Sequence, residues 1–237
     1  MSANPDFIYA PPMTPYLEII YQDKDFVVLN KTSGLLTVPG RLPEHKDCLQ
    51  NRVIRVLPSA TVVHRLDMAT SGIILMALNK PAHVAISQQF ERRETQKRYI
   101  ARVYGKISQT SGSIELPLIC DWPNRPKQKV DFEHGKKALT HFRVIEHIEK
   151  FENSENKRGA EFPPHSTLVE LTPVTGRSHQ LRVHMMSLGH PILGDRLYAH
   201  DQALTDSPRL QLHAQMLSIH HPVSHQQLSF TSPCPFE

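Results

Sequence analysis

Along the chain, short β-prone apolar runs outnumber stretches with helical spacing. Residues 17–21 and 26–30 are two such runs, and the Gln22-Asp23-Lys24-Asp25 between them predicts a hairpin. Ser33-Gly34 and Pro39-Gly40 mark turns. From Asp47, read as an N-cap, the spacing of Leu49, Val53, Ile54 and Leu57 predicts a helix that Pro58 stops. Residues 73–78 form an unbroken apolar run, the pattern of a buried strand. Asn79 then caps a helix with Pro81 in its first turn, carried by Ala82, Ala85, Ile86 and Phe90. Strands are predicted at 98–103, 139–145 and 168–171. A third helix over 179–188 has Leu181, Met185 and Leu188 on one face and is ended by Gly189. Two strands, around 210–219 and 227–230, close the domain.

This pattern predicts an α+β fold around a mixed, mostly antiparallel sheet with flanking helices. Residues 1–16, with Pro11, Pro12 and Pro15, read as an extended tail, so the packed domain is expected to run over 17–237. The charged stretch 147–165 is poor in aliphatic residues and reads as a long hairpin loop standing off the body.

Composition narrows the class. Hydrophobic residues at 39% and charged residues at 21% are ordinary globular values and argue against disorder. The net charge of +4 and pI near 9.0 lean towards polyanionic partners. Six basic residues against one acidic fall in 92–106, and five against two in 125–137. Taken alone, such runs are as readily solvated faces as ligand sites. Three dispersed cysteines, Cys48, Cys120 and Cys234, form no Cys-x-x-Cys pair and suit a reducing cytoplasm. The first twenty residues show no basic leader with an apolar stretch, and no run is long enough for a membrane span.

Several chemistries lack their motifs: there is no phosphate loop, Gly-x-Gly-x-x-Gly turn, His-Glu-x-x-His or Gly-x-Ser-x-Gly elbow. His179, His184, His190 and His213 raise a metal site, but His179 and His184 are five apart, off helical ligand spacing, and no carboxylate cluster accompanies them. What stands out is His64-Arg65-Leu66-Asp67-Met68-Ala69-Thr70-Ser71-Gly72, a polar loop set before the apolar run at 73–78. An Asp two residues from an Arg can be a simple ion pair, so this segment gains meaning only with its companions.

The loop resembles the signature loop of the RluA-type RNA pseudouridine synthases, and further blocks similar to that family follow in order. Asn30-Lys31-Thr32-Ser33-Gly34-Leu35 is similar to the opening block, with Thr32 where the family usually has Pro. Lys97-Arg98-Tyr99-Ile100-Ala101-Arg102-Val103 is similar to the tyrosine-bearing strand. The basic block is Thr175-Gly176-Arg177-Ser178-His179-Gln180-Leu181-Arg182-Val183-His184, followed by Gly189-His190-Pro191-Ile192, Gly194-Asp195 and Leu212-His213-Ala214.

The resemblance implies a pseudouridine synthase fold with a central RNA-binding cleft, and a redox-neutral isomerisation with no cofactor and no metal. It also implies Asp67 as the catalytic carboxylate, whether it attacks the sugar, attacks the base or removes a sugar proton. Arg177 is implied as its counter-ion, Tyr99 as the ring against the uracil, and Arg65 as the group holding a flipped uridine. RNA contacts are expected from His64, Thr70, Arg92, Arg93, Lys97, Arg98, Arg125, Lys127 and Lys129. The blocks begin near residue 17, so no N-terminal S4 RNA-binding domain is expected. Residues 121–129 with 39–41 and 44–47 resemble the branch of the family acting on transfer RNA and large-subunit ribosomal RNA stem-loops; a cytoplasmic monomer with no membrane partner is expected. The rivals are a non-catalytic RNA-binding protein on the same scaffold and a histidine-metal phosphodiesterase.

Overall fold

The computed structural model describes residues 8–148 and 165–237. In chain order its elements are β1 (Ile19–Gln22), β2 (Phe26–Lys31), α1 (Leu49–Ile54), β3 (Thr61–Val62), β4 (Ser71–Ala77), α2 (Lys80–Arg92), β5 (Gln96–Tyr104), β6 (Ser111–Glu115), β7 (Leu118–Cys120), β8 (Gln128–Val130), β9 (Leu139–Ile148), β10 (Ser166–Pro173), α3 (Gln180–Ser187), α4 (Asp201–Thr205), β11 (Leu212–His220) and β12 (Gln227–Thr231). The described chain forms two units, one from residues 8–98 with 213–234, the other from Tyr99–Leu212 with Pro235–Glu237.

In the first unit β1 and β2 form the expected hairpin, with Asp23 Oδ1 accepting the backbone N–H groups of Asp25 (2.7 Å) and Phe26 (2.9 Å) across the turn. β2 pairs antiparallel with β4, Phe26 opposite Ala77 and Lys31 opposite Gly72. β4 pairs parallel with β11 through Ser71 and His213, and β11 pairs antiparallel with β12, so the sheet is mixed. All of β4 is buried, which explains its unbroken apolar run. Phe26, Val28, Ile73, Leu75 and Ala77 meet Ala82 and Ile86 of α2 and Leu217, Ile219 and Phe230 in one core. Each large side chain buried there contributes roughly 1.5–3 kcal/mol. Asn79 caps α2 as expected, its Oδ1 accepting the Ala82 N–H at 2.9 Å, and Arg93 in the left-handed region (φ 61°) ends it.

Two expectations change. Cys48, not Asp47, is the N-cap of α1, and it makes no side-chain cap bond. The Asp47 carboxylate instead receives Nε and Nη2 of the buried Arg52 at 2.8 and 2.7 Å, and these bonds to Arg52 hold its pKa below the usual carboxylate value. Arg52 Nη1 also donates to the carbonyls of Pro12 and Tyr16. The Tyr9 hydroxyl donates to Asp47 O and accepts the Leu36 N–H. Residues 8–16 hold neither helix nor strand, yet they are fastened down instead of trailing as an arm.

In the second unit β5, β10, β9 and β6 make an antiparallel sheet, with Leu171 of β10 opposite both Tyr99 and Phe142. Ser166 lies opposite Ile148, and residues 149–164, where a loop is expected, lie outside the described residues. β7 and β8 form a separate two-stranded hairpin. Its Leu118, with Val130, packs on Ala138, Val183 and Tyr198. α3 is capped by His179 (φ 54°) and stopped after Leu188 by Gly189 (φ 88°), close to the bounds that the spacing predicts. Arg182 and Asp195 form a buried two-pronged ion pair at 2.7 and 2.6 Å that ties α3 to the following loop.

Candidate active site

The polar loop lies between β3 and β4 in the first unit, and its backbone is fixed by the block that follows β2. The Thr37 hydroxyl donates to Leu66 O (2.7 Å), and Ser33 Oγ donates to Ala69 O (2.7 Å). Met68 O accepts from the Gly34 N–H (2.9 Å) and from Lys31 Nζ (3.0 Å). Asp67 O accepts the Thr70 N–H at 3.1 Å. The four consecutive carbonyls from Leu66 to Ala69 therefore all have donors. With Leu66 buried as an anchor, the half-buried Asp67 side chain projects from a backbone that has no slack.

Lys31 is the least expected part of this frame. It is fully buried, and its Nζ also donates to Thr32 O (2.9 Å) and Leu35 O (2.8 Å). The sequence quotes it in the opening block without a role, because lysines normally face water. The one visible signal is its place at the end of a strand that opens with four apolar residues, Phe26 to Leu29.

His64 belongs to the same frame. Its Nε2 accepts the Leu75 N–H at 3.0 Å, and its ring stacks on Phe90 at 4.5 Å between centroids. Burial first, and the charge of Lys97 second, push its pKa down to about 3, so the ring is neutral. Thr70 is 2% exposed. His64 is half-buried and also serves the backbone of β4, while Thr70 closes the loop through its own backbone N–H. Arg65 is exposed and free to reach outward.

In the second unit Tyr99 sits half-buried on β5 opposite Leu171. Arg177 lies exposed on the turn before α3, and that turn is built by Gln180. Gln180 Oε1 accepts from the Arg177 N–H (3.0 Å) and from the Thr175 hydroxyl (2.7 Å), while its Nε2 donates to Leu139 O and Thr140 Oγ1. Arg177 Nε donates to Lys137 O at 3.1 Å. Gln180 and Thr175 are thus positioning residues that the sequence shows only as members of the block.

Among the other expected RNA contacts, Arg92 and Arg93 are exposed at the end of α2. Arg92 lines a cavity of about 240 Å³ with Gln88, Gln89, His220 and His225. Lys97 and Arg98 are half-buried at the start of β5, and burial, with Arg93 nearby, lowers the Lys97 pKa. Arg125, Lys127 and Lys129 lie on the hairpin of β7 and β8.

The histidines considered as ligands each serve a separate bond. His184 Nδ1 meets Thr140 Oγ1, His190 Nδ1 meets Tyr104 O, His179 Nδ1 meets the Tyr198 hydroxyl, and His213 Nδ1 meets Ser71 Oγ. Among the described residues, the one grouping of three possible metal ligands is Asp23, Asp25 and His221. There His221 Nδ1 accepts the N–H groups of Val223 and Ser224, which leaves the ring proton on Nε2 facing Asp23 Oδ2 at 3.0 Å. That tautomer suits a hydrogen-bond cluster better than a metal.

A rigid loop presenting a carboxylate, a tyrosine on a strand and an arginine on a braced turn are parts suited to acid–base or nucleophilic chemistry on a nucleoside. Residues 25–187 match the RNA pseudouridylate synthase family, and the chain belongs to that family. It is an RNA-modifying isomerase with an α+β fold. The dual-specificity RNA pseudouridine synthase RluA of Salmonella typhimurium (strain LT2) is 53% identical over 228 residues, covering 96% of this chain and 98% of the relative. The protein of the same name from Escherichia coli (strain K12) is 52% identical over the same share of both chains. The solved structure of human RNA pseudouridylate synthase domain containing 1 aligns with a TM-score of 0.76 at 29% identity, covering 96% of this chain and 87% of that one.

Proposed function

We propose that this synthase isomerises uridines in stem-loops of two RNA classes, transfer RNA and large-subunit ribosomal RNA, with the Asp67 carboxylate as its central catalytic group. The observation that carries the proposal is the loop whose four tied carbonyls hold Asp67 in place, in a chain about half identical to enzymes named for dual specificity.

The reaction breaks the bond from uracil N1 to ribose C1′ and makes one from C5 to C1′; C5 loses its hydrogen and N1 gains one. Nothing is oxidised or reduced, so side chains suffice. A uridine must first leave the stack, at a cost of a few kcal/mol. Arg65 holds the everted state, and Tyr99 lies against the freed base. Arg177 supplies the positive charge that an ionised, partly buried Asp67 needs. Asp67 then acts as nucleophile on sugar or base, or as base towards a sugar proton. Arg92, Arg93, Lys97, Arg98, Arg125, Lys127 and Lys129 supply phosphate contacts that position the RNA. The protein works as a cytoplasmic monomer.

The test is release of tritium from 5-tritiated uridine in two synthetic stem-loops, one from each RNA class, with and without chelator. Release from both, unchanged by chelator, is expected. Release from one alone contradicts dual specificity, and loss with chelator favours metal chemistry.

A further inference from the structure

The hairpin of β7 and β8 carries two aromatic rings that the catalytic reading does not use. Trp122, the only tryptophan in the chain, is 65% exposed at its tip, and Phe132, just after β8, is 78% exposed. Large rings left in water, with cations around them, point to a ligand. The Arg125 guanidinium lies 4.6 Å from the centroid of the Trp122 ring, covering one face and leaving the other open.

The tip is rigid. Asp121 N–H donates to Lys127 O (2.9 Å), Lys127 N–H to Asn124 O (3.0 Å), and Asn124 Nδ2 to Asp121 Oδ2 (2.8 Å). After β8, Asp131 Oδ1 accepts the N–H groups of Glu133 (3.2 Å) and His134 (2.9 Å), an Asx turn that directs Phe132 outward. The hairpin shares its supports with Arg177. The Gln128 N–H donates to the Tyr198 hydroxyl (2.7 Å), which also meets His179 Nδ1, and Lys137 O receives Arg177 Nε. A ligand on the hairpin is therefore held by the same framework that places the arginine of the site.

Residues 125–137 hold five cations against Asp131 and Glu133, the charge balance that attracts a phosphate chain. Phosphates alone need no tryptophan. An open aromatic face beside them suits a base that is not already stacked in a duplex. We infer that this hairpin is a stacking platform for unpaired nucleotides of the substrate RNA, with Trp122 taking a base on its open face and Phe132 serving as a second ring. Stacking tolerates any base but needs an unpaired one, which lets one enzyme accept loops of different sequence. The inference rests on the RNA stem-loop reading above.

The sole tryptophan reports on itself. Tryptophan emission of the full chain is titrated with a short RNA stem-loop and with a closed RNA duplex of equal length; affinities of variants are read from the anisotropy of labelled RNA. Stem-loop RNA is expected to quench the emission and duplex RNA to leave it unchanged. Trp122→Ala is expected to weaken stem-loop binding about tenfold, and Trp122→Phe to retain most of it. Unchanged emission in a chain that binds and isomerises the stem-loop overturns the platform and leaves the catalytic reading standing. Quenching without tritium release does the reverse. Equal quenching by duplex shows charge-driven binding and also overturns the platform.

Discussion

A buried lysine and a neutral histidine do the least visible work around Asp67. Lys31 Nζ spans the Thr32, Leu35 and Met68 carbonyls, so Lys31→Met leaves acceptors in the interior without that donor. A loss of about 2–4 kcal/mol in urea unfolding is expected, with maximal turnover falling more than RNA affinity, because the displaced group is the backbone beside Asp67. Equal stability and turnover in the variant would remove Lys31 from the frame. For His64 the folded-state pKa, about 3, lies below the unfolded value near 6.5, so the unfolded chain takes up the proton first. Its contribution is complete above about pH 6.5 and is lost as pH falls towards 3, by up to about 1.4 kcal/mol per pH unit. His64→Gln keeps an acceptor for the Leu75 N–H without titrating, and its stability should fall less steeply between pH 7 and pH 5; identical slopes would show that the ring is hydrated. The sequence marked Asp67, Tyr99, Arg65 and Arg177 because their blocks are distinctive. Residue type alone does not reveal that the His64 ring accepts the Leu75 N–H or that Thr70 is buried.

At the scale of elements, the long regular ones were legible. β4 announced itself by an unbroken apolar run, and α2 by Asn79, Pro81 and its spaced apolar face. β3, β6, β7, β8 and α4 do not show in the sequence; each spans five residues or fewer, too short for a period to appear. The cap of α1 was misread because Asp47 was already committed to Arg52, a partner that only the fold reveals. Gly72 marks where the loop enters β4. Its φ is 109°, and an added Cβ would collide with the backbone carbonyl of Ala214 on β11. Gly72→Ala is therefore expected to cost more than about 2 kcal/mol, read as a lowered urea midpoint, since both the backbone conformation and the close approach of the strands are lost. A variant as stable as the parent would mean that the two strands separate freely at this point.

For the whole molecule, the basic lean of the composition pointed to a polyanion but could not say which; ordered blocks of residues did. Asp67 stands in one unit, Tyr99 and Arg177 in the other, and the chain's function is proposed to need all three. The frame around Asp67 is made of backbone and neighbouring side chains, so removing its charge leaves that frame in place. The most direct measurement is single-turnover tritium release by Asp67→Asn on a stem-loop bearing 5-tritiated uridine, with RNA affinity measured on the same preparation. The expected result is release at least about a thousandfold slower with RNA still bound. Release at the parent rate would contradict the account, because the isomerisation would then run without the carboxylate on which it depends.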